Sequence, residues 1–163
     1  MNQVKVNELI LITIKRLGIN GEGIGYYKRQ AIFVKNAIPG EVVEVKITEA
    51  KEKYAIGEIT KVKEASPKRV EPKCQYFGKC GGCQIQHLSY DEQLKQKRNL
   101  VMEAFDRYYE GDTSKIKFHE TLGMEDPWKY RNKTSLPVRH NGERVVVGMY
   151  AEDSNRLIYI DDC

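Results

Sequence analysis

The sequence of 163 residues has few cysteines, a single tryptophan and no long apolar run. No stretch approaches the roughly 20 apolar residues that a transmembrane helix needs, so we expect no association with a membrane. The opening residues, MNQVKVNELI, lack the basic and then apolar order of a secretory signal. We therefore expect a cytoplasmic protein whose thiols stay reduced, which disfavours a framework of disulfide bonds.

Acidic side chains are scarce in the first part of the chain. Residues 1–73 carry 9 Asp and Glu against 14 Lys and Arg, a net charge of +5, whereas residues 74–163 carry 14 against 13, a net charge of −1. With 40% hydrophobic and 31% charged residues, the composition is that of a globular protein. The charge bias predicts a polyanionic partner such as nucleic acid. A well-solvated basic surface is the alternative explanation of the charge alone.

The N-terminal part predicts short strands separated by turns. In ELILITIKRLG, two leucines alternate with three isoleucines, which predicts a strand buried on much of both faces. GINGEGIG is too rich in glycine for regular structure and predicts a turn. Further strands are predicted in QAIFVKNA, VVEVKITEA and KYAIGEITKVKEA. Four or five strands in about sixty residues predict a small β-barrel of the OB type.

Barrels of this type commonly bind single-stranded nucleic acid on an open face through basic and aromatic side chains. The residues that suit such a face are Tyr26, Tyr27, Lys28, Arg29 and Phe33. Ordinary core and surface roles explain the same residues equally well, so the sequence leaves both interpretations open.

The sequence after the predicted barrel indicates a linker, a helix and a hairpin. SPKRVEP, residues 66–72, encloses a basic run between two prolines and predicts a linker. In SYDEQLKQKRNLVMEAFDRYY, Ser89 and Glu92 have the spacing of a capping box, and apolar residues at helical intervals predict a helix over 89–110 that packs on a sheet. His87, just before it, is expected to pack or form a hydrogen bond at the helix entry rather than bind a metal. KTSLPVRHNGERVVVGMY predicts a hairpin with Asn141-Gly142 at its turn, and RLIYIDDC predicts a last strand.

Three of the four cysteines lie in CQYFGKCGGCQIQH with the spacing C-x5-C-x2-C, and the fourth follows after 79 residues. Three clustered thiols indicate metal ligands rather than a nucleophile. Four thiolates suit tetrahedral zinc, although zinc sites usually present two closely spaced pairs. An iron–sulfur cluster accepts three thiols from one loop and a distant fourth, and the loop's glycines allow the backbone to wrap closely. The spacing favours the cluster and leaves zinc open.

The segment CQYFGKCGGCQIQHLSYDEQLKQK resembles the iron–sulfur segment of bacterial RNA (uracil-5-)-methyltransferases that act on 23S rRNA. GEGIGYYKRQAIFVKNAIPGEVVEV and SPKRVEPKC resemble the N-terminal TRAM domain of those enzymes and its exit. WKYRNKTSLPV resembles their YRNK segment, and IDDC resembles the place of the fourth cluster ligand. The resemblance runs over essentially the whole chain.

The resemblance implies a mainly β fold with one long helix. It places an OB-like, RNA-binding TRAM barrel at 1–64, a linker at 65–73 and a small α+β iron–sulfur-binding central domain, incomplete in this chain, at 74–163. It implies 23S rRNA as the partner, and we expect a monomer. The implied ligands of a structural [4Fe-4S] cluster are Cys74, Cys80, Cys83 and Cys163. The implied RNA contacts are Arg131, near the target base, and, as weaker candidates for phosphates, Lys133, Lys28, Arg29 and Lys35.

The chain departs from that family in one large respect. The family's enzymes continue into a domain that binds S-adenosylmethionine and supplies a cysteine nucleophile and a carboxylate base. The cofactor site, the nucleophile and the base have no place here. GINGEGIG lacks the strand–helix context of a cofactor loop, and all four cysteines are assigned to the cluster. We therefore expect the RNA-recognition half of a uracil-5-methyltransferase, inactive alone. The alternative is a stand-alone TRAM-type RNA-binding module stabilised by an iron–sulfur or zinc site.

Overall fold

The computed structural model describes residues 4–140 and 142–163, and it is mainly β with one long helix, as predicted. In chain order the elements are β1 (Leu9–Leu17), β2 (Gly23–Tyr27), β3 (Gln30–Val34), β4 (Val42–Ala50), β5 (Tyr54–Glu64), α1 (Tyr90–Tyr108), a short 3-10 helix (Thr113–Lys115), β6 (Val138–His140), β7 (Val145–Tyr150) and β8 (Leu157–Tyr159). None of the described helices is long and apolar enough to cross a membrane.

The described chain forms two compact units. The first holds the chain up to Val70 together with His87–Leu122, and the second holds Glu71–Gln86 together with Gly123–Cys163. Helix α1 therefore belongs to the same unit as β1 to β5, whereas the predicted boundaries assign it to the second domain. The boundaries at 64/65 and 73/74 stay a prediction.

Strands β1 to β5 close into a barrel in the order β1-β2-β3-β5-β4, which confirms the predicted OB-like fold. Neighbouring strands are antiparallel except β3 and β5, which run parallel. Because side chains alternate between the two faces of a strand, every second residue reaches the interior. The core that results includes Ile10, Ile12, Ile14, Ile32, Val34, Val43, Val45, Ile47 and Ala55.

Strand β1 differs from its prediction because only one of its faces is buried. Ile10, Ile12 and Ile14 are at most 4% exposed, whereas Leu9 and Leu11 are 59% and 55% exposed. The prediction of burial on both faces is therefore wrong. In a closed barrel built from a single sheet, only the inward-facing positions reach the core.

The glycine-rich segment also differs from its prediction, because β2 begins inside it at Gly23. A Cβ atom on Gly23 would lie 2.7 Å from the Ala37 Cβ, and one on Gly25 would lie 2.7 Å from the Thr13 carbonyl oxygen. Glycine is needed at these positions because neighbouring backbone approaches closely, and it is compatible with the strand for the same reason. The prediction of a turn throughout the segment is wrong.

Helix α1 follows the N-cap residue Ser89, but the predicted capping box does not form. The Ser89 hydroxyl donates to the Asp91 carboxylate at 2.6 Å, and Glu92 accepts from Gln96 Nε2 at 2.7 Å. Both side chains that the capping box requires are therefore bonded to other side chains instead of the backbone amides at the helix start.

The apolar side of α1 remains largely exposed. Val101 is 51% exposed, Phe105 37% and Tyr108 75%. The predicted packing over a sheet is therefore absent at these three positions, whereas Leu94, nearer the start of α1, is half-buried. A polar contact joins α1 to the barrel instead, because Arg16 Nη1 lies 3.1 Å from Glu103 Oε2.

Residues 66–70 of the segment predicted as a linker belong to the first unit and are fixed there by hydrogen bonds. The Val70 amide donates to the His87 carbonyl at 3.0 Å. Arg69 Nε donates to Glu41 Oε1 at 2.6 Å, and Glu41 is fully buried in the barrel unit. The Ile38 amide donates to the other carboxylate oxygen at 3.1 Å. A buried carboxylate held in this way anchors the chain where it leaves β5.

The second unit contains a three-stranded antiparallel sheet in the order β6-β7-β8. His140 pairs with Val145, which confirms the predicted hairpin. Gly142 adopts a φ of 99°, while Asn141 of the predicted turn lies outside the described residues. The last predicted strand corresponds to β8, which pairs with β7.

Candidate nucleic-acid interface and thiol site

The β2–β3 hairpin places two cations at one end of the barrel. Tyr27 pairs with Gln30, so Lys28 and Arg29 form a two-residue turn whose side chains are exposed. Lys28 Nζ lies 5.0 Å from the centre of the Tyr27 ring, within the range of a cation–π contact. Gln30 holds the base of the hairpin, because its Nε2 donates to the Lys51 carbonyl at 3.0 Å. The predicted cations therefore project from a hairpin whose base is held by hydrogen bonds.

Aromatic rings line the outer surface beside this turn. Tyr26 is 50% exposed and Tyr54 is 39% exposed. Phe33 meets Tyr54 edge-to-face with ring centroids 5.4 Å apart. Tyr27, by contrast, packs against the barrel core. Tyr26, Phe33 and Tyr54, named here the aromatic patch, offer surfaces on which bases can stack.

Sequence reasoning missed Tyr54 as a member of this surface. Tyr54 begins β5 and reaches Phe33 only because β3 and β5 pair in parallel, with Ala31 opposite Tyr54. Parallel neighbours are joined by a long connection, so no local pattern in the sequence indicates which strand lies beside β3.

Lys35 lies at the other end of β3 from the hairpin. Five strand residues separate Arg29 from Lys35, a distance of roughly 20 Å at the usual rise per residue. The structure therefore brings Lys28 and Arg29 together with the aromatic patch and leaves Lys35 apart from them.

The thiol loop, residues 74–83, is a series of turns in the second unit. The Lys79 and Cys80 amides both donate to the Tyr76 carbonyl, at 3.0 and 2.9 Å. The Gly82 amide donates to Cys80 Sγ at 3.3 Å. Amide–sulfur hydrogen bonds of this kind stabilise a thiolate ligand. All four cysteines are free thiols: Cys163 is exposed, and those at 74, 80 and 83 are half-buried.

Two contacts connect the thiol loop with the C-terminal part of the same unit. The Gly81 amide donates to the Tyr150 carbonyl at 2.9 Å, and a Cβ atom on Gly81 would lie 3.2 Å from that oxygen. The Tyr76 hydroxyl donates to the Asp161 carboxylate, two residues before Cys163. The structure thus brings the segment that carries the fourth thiol to the loop that carries the other three.

Arg131 lies on the surface beside this loop, where its Nη2 donates to the Gly82 carbonyl at 3.0 Å. The hydrogen bond with Tyr130 is the main cause that raises the pKa of Arg131, and electrostatic interactions with Tyr130, Cys83 and Cys163 raise it further. The guanidinium is therefore a cation beside the thiol loop. The roles of Arg131 and of the exposed Lys133 as RNA contacts stay predictions.

No group of three or more His, Cys, Asp or Glu side chains is arranged to hold a metal ion within residues 4–140 and 142–163. The chemistry of the donor set nevertheless fits a thiolate-ligated cluster. Four free thiols belong to one unit, one of them accepts an amide hydrogen bond, and a guanidinium lies nearby. The four cysteines stay a predicted ligand set.

His87 lies in the first unit, outside the thiol loop, and is 2% exposed. Burial is the main cause that lowers the pKa of His87 to about 4, and the positive charge of Arg69 adds to it. The imidazole is therefore neutral at physiological pH, in keeping with the packing role expected at the helix entry.

Comparison with known proteins gives a consistent set of relatives. Residues 3–60 match the TRAM domain family. The chain is 46% identical to an uncharacterized RNA methyltransferase of Bacillus anthracis, over 99% of this chain and 35% of that protein. Proteins of Halalkalibacterium halodurans and Listeria innocua, also named RNA methyltransferases, are 43% and 40% identical, over 98% and 99% of this chain and 35% and 36% of their own length. The chain spans about a third of the length of these curated relatives.

Proposed function

We propose that this chain, which carries a TRAM domain at residues 3–60 and matches proteins named RNA methyltransferases over nearly its whole length, is the RNA-recognition portion of such an enzyme. The observation that carries the proposal is the hairpin of Lys28 and Arg29 beside the aromatic patch. Cations neutralise phosphates and aromatic rings stack on bases, which is the usual means of binding single-stranded RNA. The net positive charge of residues 1–73 supports the same partner.

The proposed target is uridine in 23S rRNA, methylated at C5. The resemblance of the thiol segment and of the YRNK segment to enzymes of that specificity supports it. In this proposal S-adenosylmethionine, the nucleophilic cysteine and the base belong to sequence outside these 163 residues. The chain alone would then bind RNA and transfer no methyl group.

Cys74, Cys80, Cys83 and Cys163 are proposed to hold a structural [4Fe-4S] cluster, with zinc as the alternative occupant. The support is the C-x5-C-x2-C spacing, the free state of all four thiols and the amide that donates to Cys80 Sγ. When bound, the cluster supplies a covalent cross-link between the thiol loop and the end of the chain. This chain's own contribution is to position the thiols, and the bond between Tyr76 and Asp161 draws the two segments together.

RNA binding tests the proposed function directly. Fluorescence anisotropy of labelled single-stranded 23S rRNA fragments, measured between about 50 and about 200 mM KCl, should show log affinity falling with log salt at a slope of about −2, as for about three neutralised phosphates. No binding at the low salt concentration, or an affinity independent of salt, would contradict the RNA role. A parallel assay with radiolabelled S-adenosylmethionine should detect no methyl transfer.

A further inference from the structure

The turn of the β2–β3 hairpin has an unusual backbone for its sequence. Lys28 has a φ of 47° and Arg29 a φ of 72°, so both central residues of the turn are left-handed. A two-residue hairpin of this kind strongly favours Asn-Gly or Asp-Gly, because most L-residues are disfavoured at positive φ. Two consecutive long, unbranched cationic residues are a poor choice for the fold alone.

Other left-handed positions in the described chain show the usual preference more often. Asn7, Asn36 and Asp153 adopt positive φ, and their short polar side chains tolerate that conformation. Lys129 is a single exception in the second unit. The hairpin differs because two adjacent residues, both cationic, are left-handed. Backbone strain that persists at an exposed position suggests that the side chains there have a function.

The contacts of the two side chains do not explain their presence. Arg29 makes no hydrogen bond, ion pair or ring contact within the described part of the chain, and Lys28 contacts only the Tyr27 ring. Neither β2 nor β3 contains an acidic residue. The two cations therefore stand on an exposed tip, next to the aromatic patch, with no counterion among the residues that the structure describes.

We propose that the hairpin retains a strained, cationic turn because Lys28 and Arg29 each contact a phosphate of RNA whose bases stack on the aromatic patch. This inference rests on the proposed function and specifies it, because it assigns the phosphate contacts to one end of the barrel. The turn is less stable than an Asn-Gly turn would be, and RNA binding is the reason that it is kept.

The double variant Lys28→Asn with Arg29→Gly separates stability from binding. Because it installs the preferred turn residues, its Tm should rise by about 5 °C. Because it removes two phosphate contacts, its affinity for labelled single-stranded RNA should fall roughly 10-fold, and the salt slope should weaken by about 1.4. A variant that is more stable and binds as tightly as wild type would overturn the inference, as would one that is no more stable.

Two further variants serve as controls. Lys28→Gln with Arg29→Gln removes both charges and retains side chains that are disfavoured at positive φ, so affinity should fall equally while the Tm stays unchanged. Lys46→Gln with Lys61→Gln removes two exposed lysines of β4 and β5, and its affinity should fall by much less. If the hairpin variant and the β4–β5 variant lose equal affinity for RNA, the effect of charge is spread over the barrel surface. That result would overturn the assignment to the hairpin.

Wild-type binding separates failure of this inference from failure of the proposed function. If wild type binds no RNA, both fail. If wild type binds RNA with the expected salt dependence and Lys28→Gln with Arg29→Gln binds equally well, the hairpin assignment alone is wrong.

Discussion

At the scale of single residues, His87 is a titratable side chain held neutral inside the first unit. Burial is the largest cause that lowers the pKa of His87 to about 4, and the charge of Arg69 lowers it further, while Glu41 and a hydrogen bond with the Asn36 backbone act in the opposite direction. The folded pKa therefore lies below the ordinary value of 6.5. Neutral His87 therefore contributes its full stability to the fold above pH 6.5, and this contribution is lost as the pH falls toward 4.

Titration of His87 should make the first unit sensitive to mild acid. We expect the free energy of unfolding to fall by about 2 kcal/mol between pH 7 and pH 4.5 because the unfolded chain takes up a proton that the folded chain excludes. Urea denaturation at a series of pH values measures this. His87→Gln should show a flatter profile, and His119→Gln, which changes an exposed histidine of the same unit, should keep the full fall.

The buried carboxylate of Glu41 sets the lower limit of that pH range. Burial raises the pKa of Glu41, but hydrogen bonds from Arg69 and the Ile38 amide outweigh it, so the pKa lies below 4.5. The contribution of Glu41 is therefore present above pH 4.5 and is lost only below it. An equal fall in His87→Gln and wild type above pH 4.5 would contradict the assignment to His87.

At the scale of elements, β2 depends on glycine at Gly25. A Cβ atom there would lie 2.7 Å from the Thr13 carbonyl oxygen and 3.0 Å from Ile12 Cδ1, both on β1. A carbonyl fixed in the barrel cannot move away as a flexible side chain can. Substitution at Gly25 must therefore displace the backbone of one of the two strands.

Gly25→Ala should lower the free energy of unfolding by about 1–3 kcal/mol, the range typical of overpacking a close-packed interior. Urea denaturation followed by circular dichroism measures the change. Lys46→Ala, at an exposed position of β4, is the matched control and should change the free energy by no more than about 0.5 kcal/mol. Gly25→Ala that unfolds at the same urea concentration as wild type would show that β2 has room to move.

Sequence patterns predict elements best where a single physical requirement dominates. The alternation of Val43, Val45 and Ile47 with charged residues predicted β4 because inward positions must be apolar. The predicted capping box at Ser89 does not form, because its hydroxyl donates to Asp91 and Glu92 accepts from Gln96. Gly23 and Gly25 lie in β2 because neighbouring chain approaches them closely, and Tyr54 joins the aromatic patch because β5 pairs with β3 in parallel. Local sequence patterns encode neither contact.

At the scale of the whole molecule, the two units differ in the size of their buried cores. The first unit has a closed barrel with a buried aliphatic core. In the second unit, the core residue Ala151 is 8% exposed, and several large apolar side chains remain exposed, among them Val138, Val145, Leu136 and Tyr159. A small core gives a unit little stability of its own, and the proposed cluster would add a cross-link.

Replacement of the most distant ligand tests this dependence. Wild type purified without oxygen should be brown, with broad visible absorption that bleaches on reduction, and should contain about four iron atoms per chain. Cys163→Ser should lose the absorption and the protection of second-unit amides from hydrogen exchange, while the barrel amides stay protected. Asp162→Ser, beside it, is the control and should retain both properties. Colourless wild type with one zinc ion would contradict the cluster. Unchanged iron content in Cys163→Ser would place the fourth ligand elsewhere.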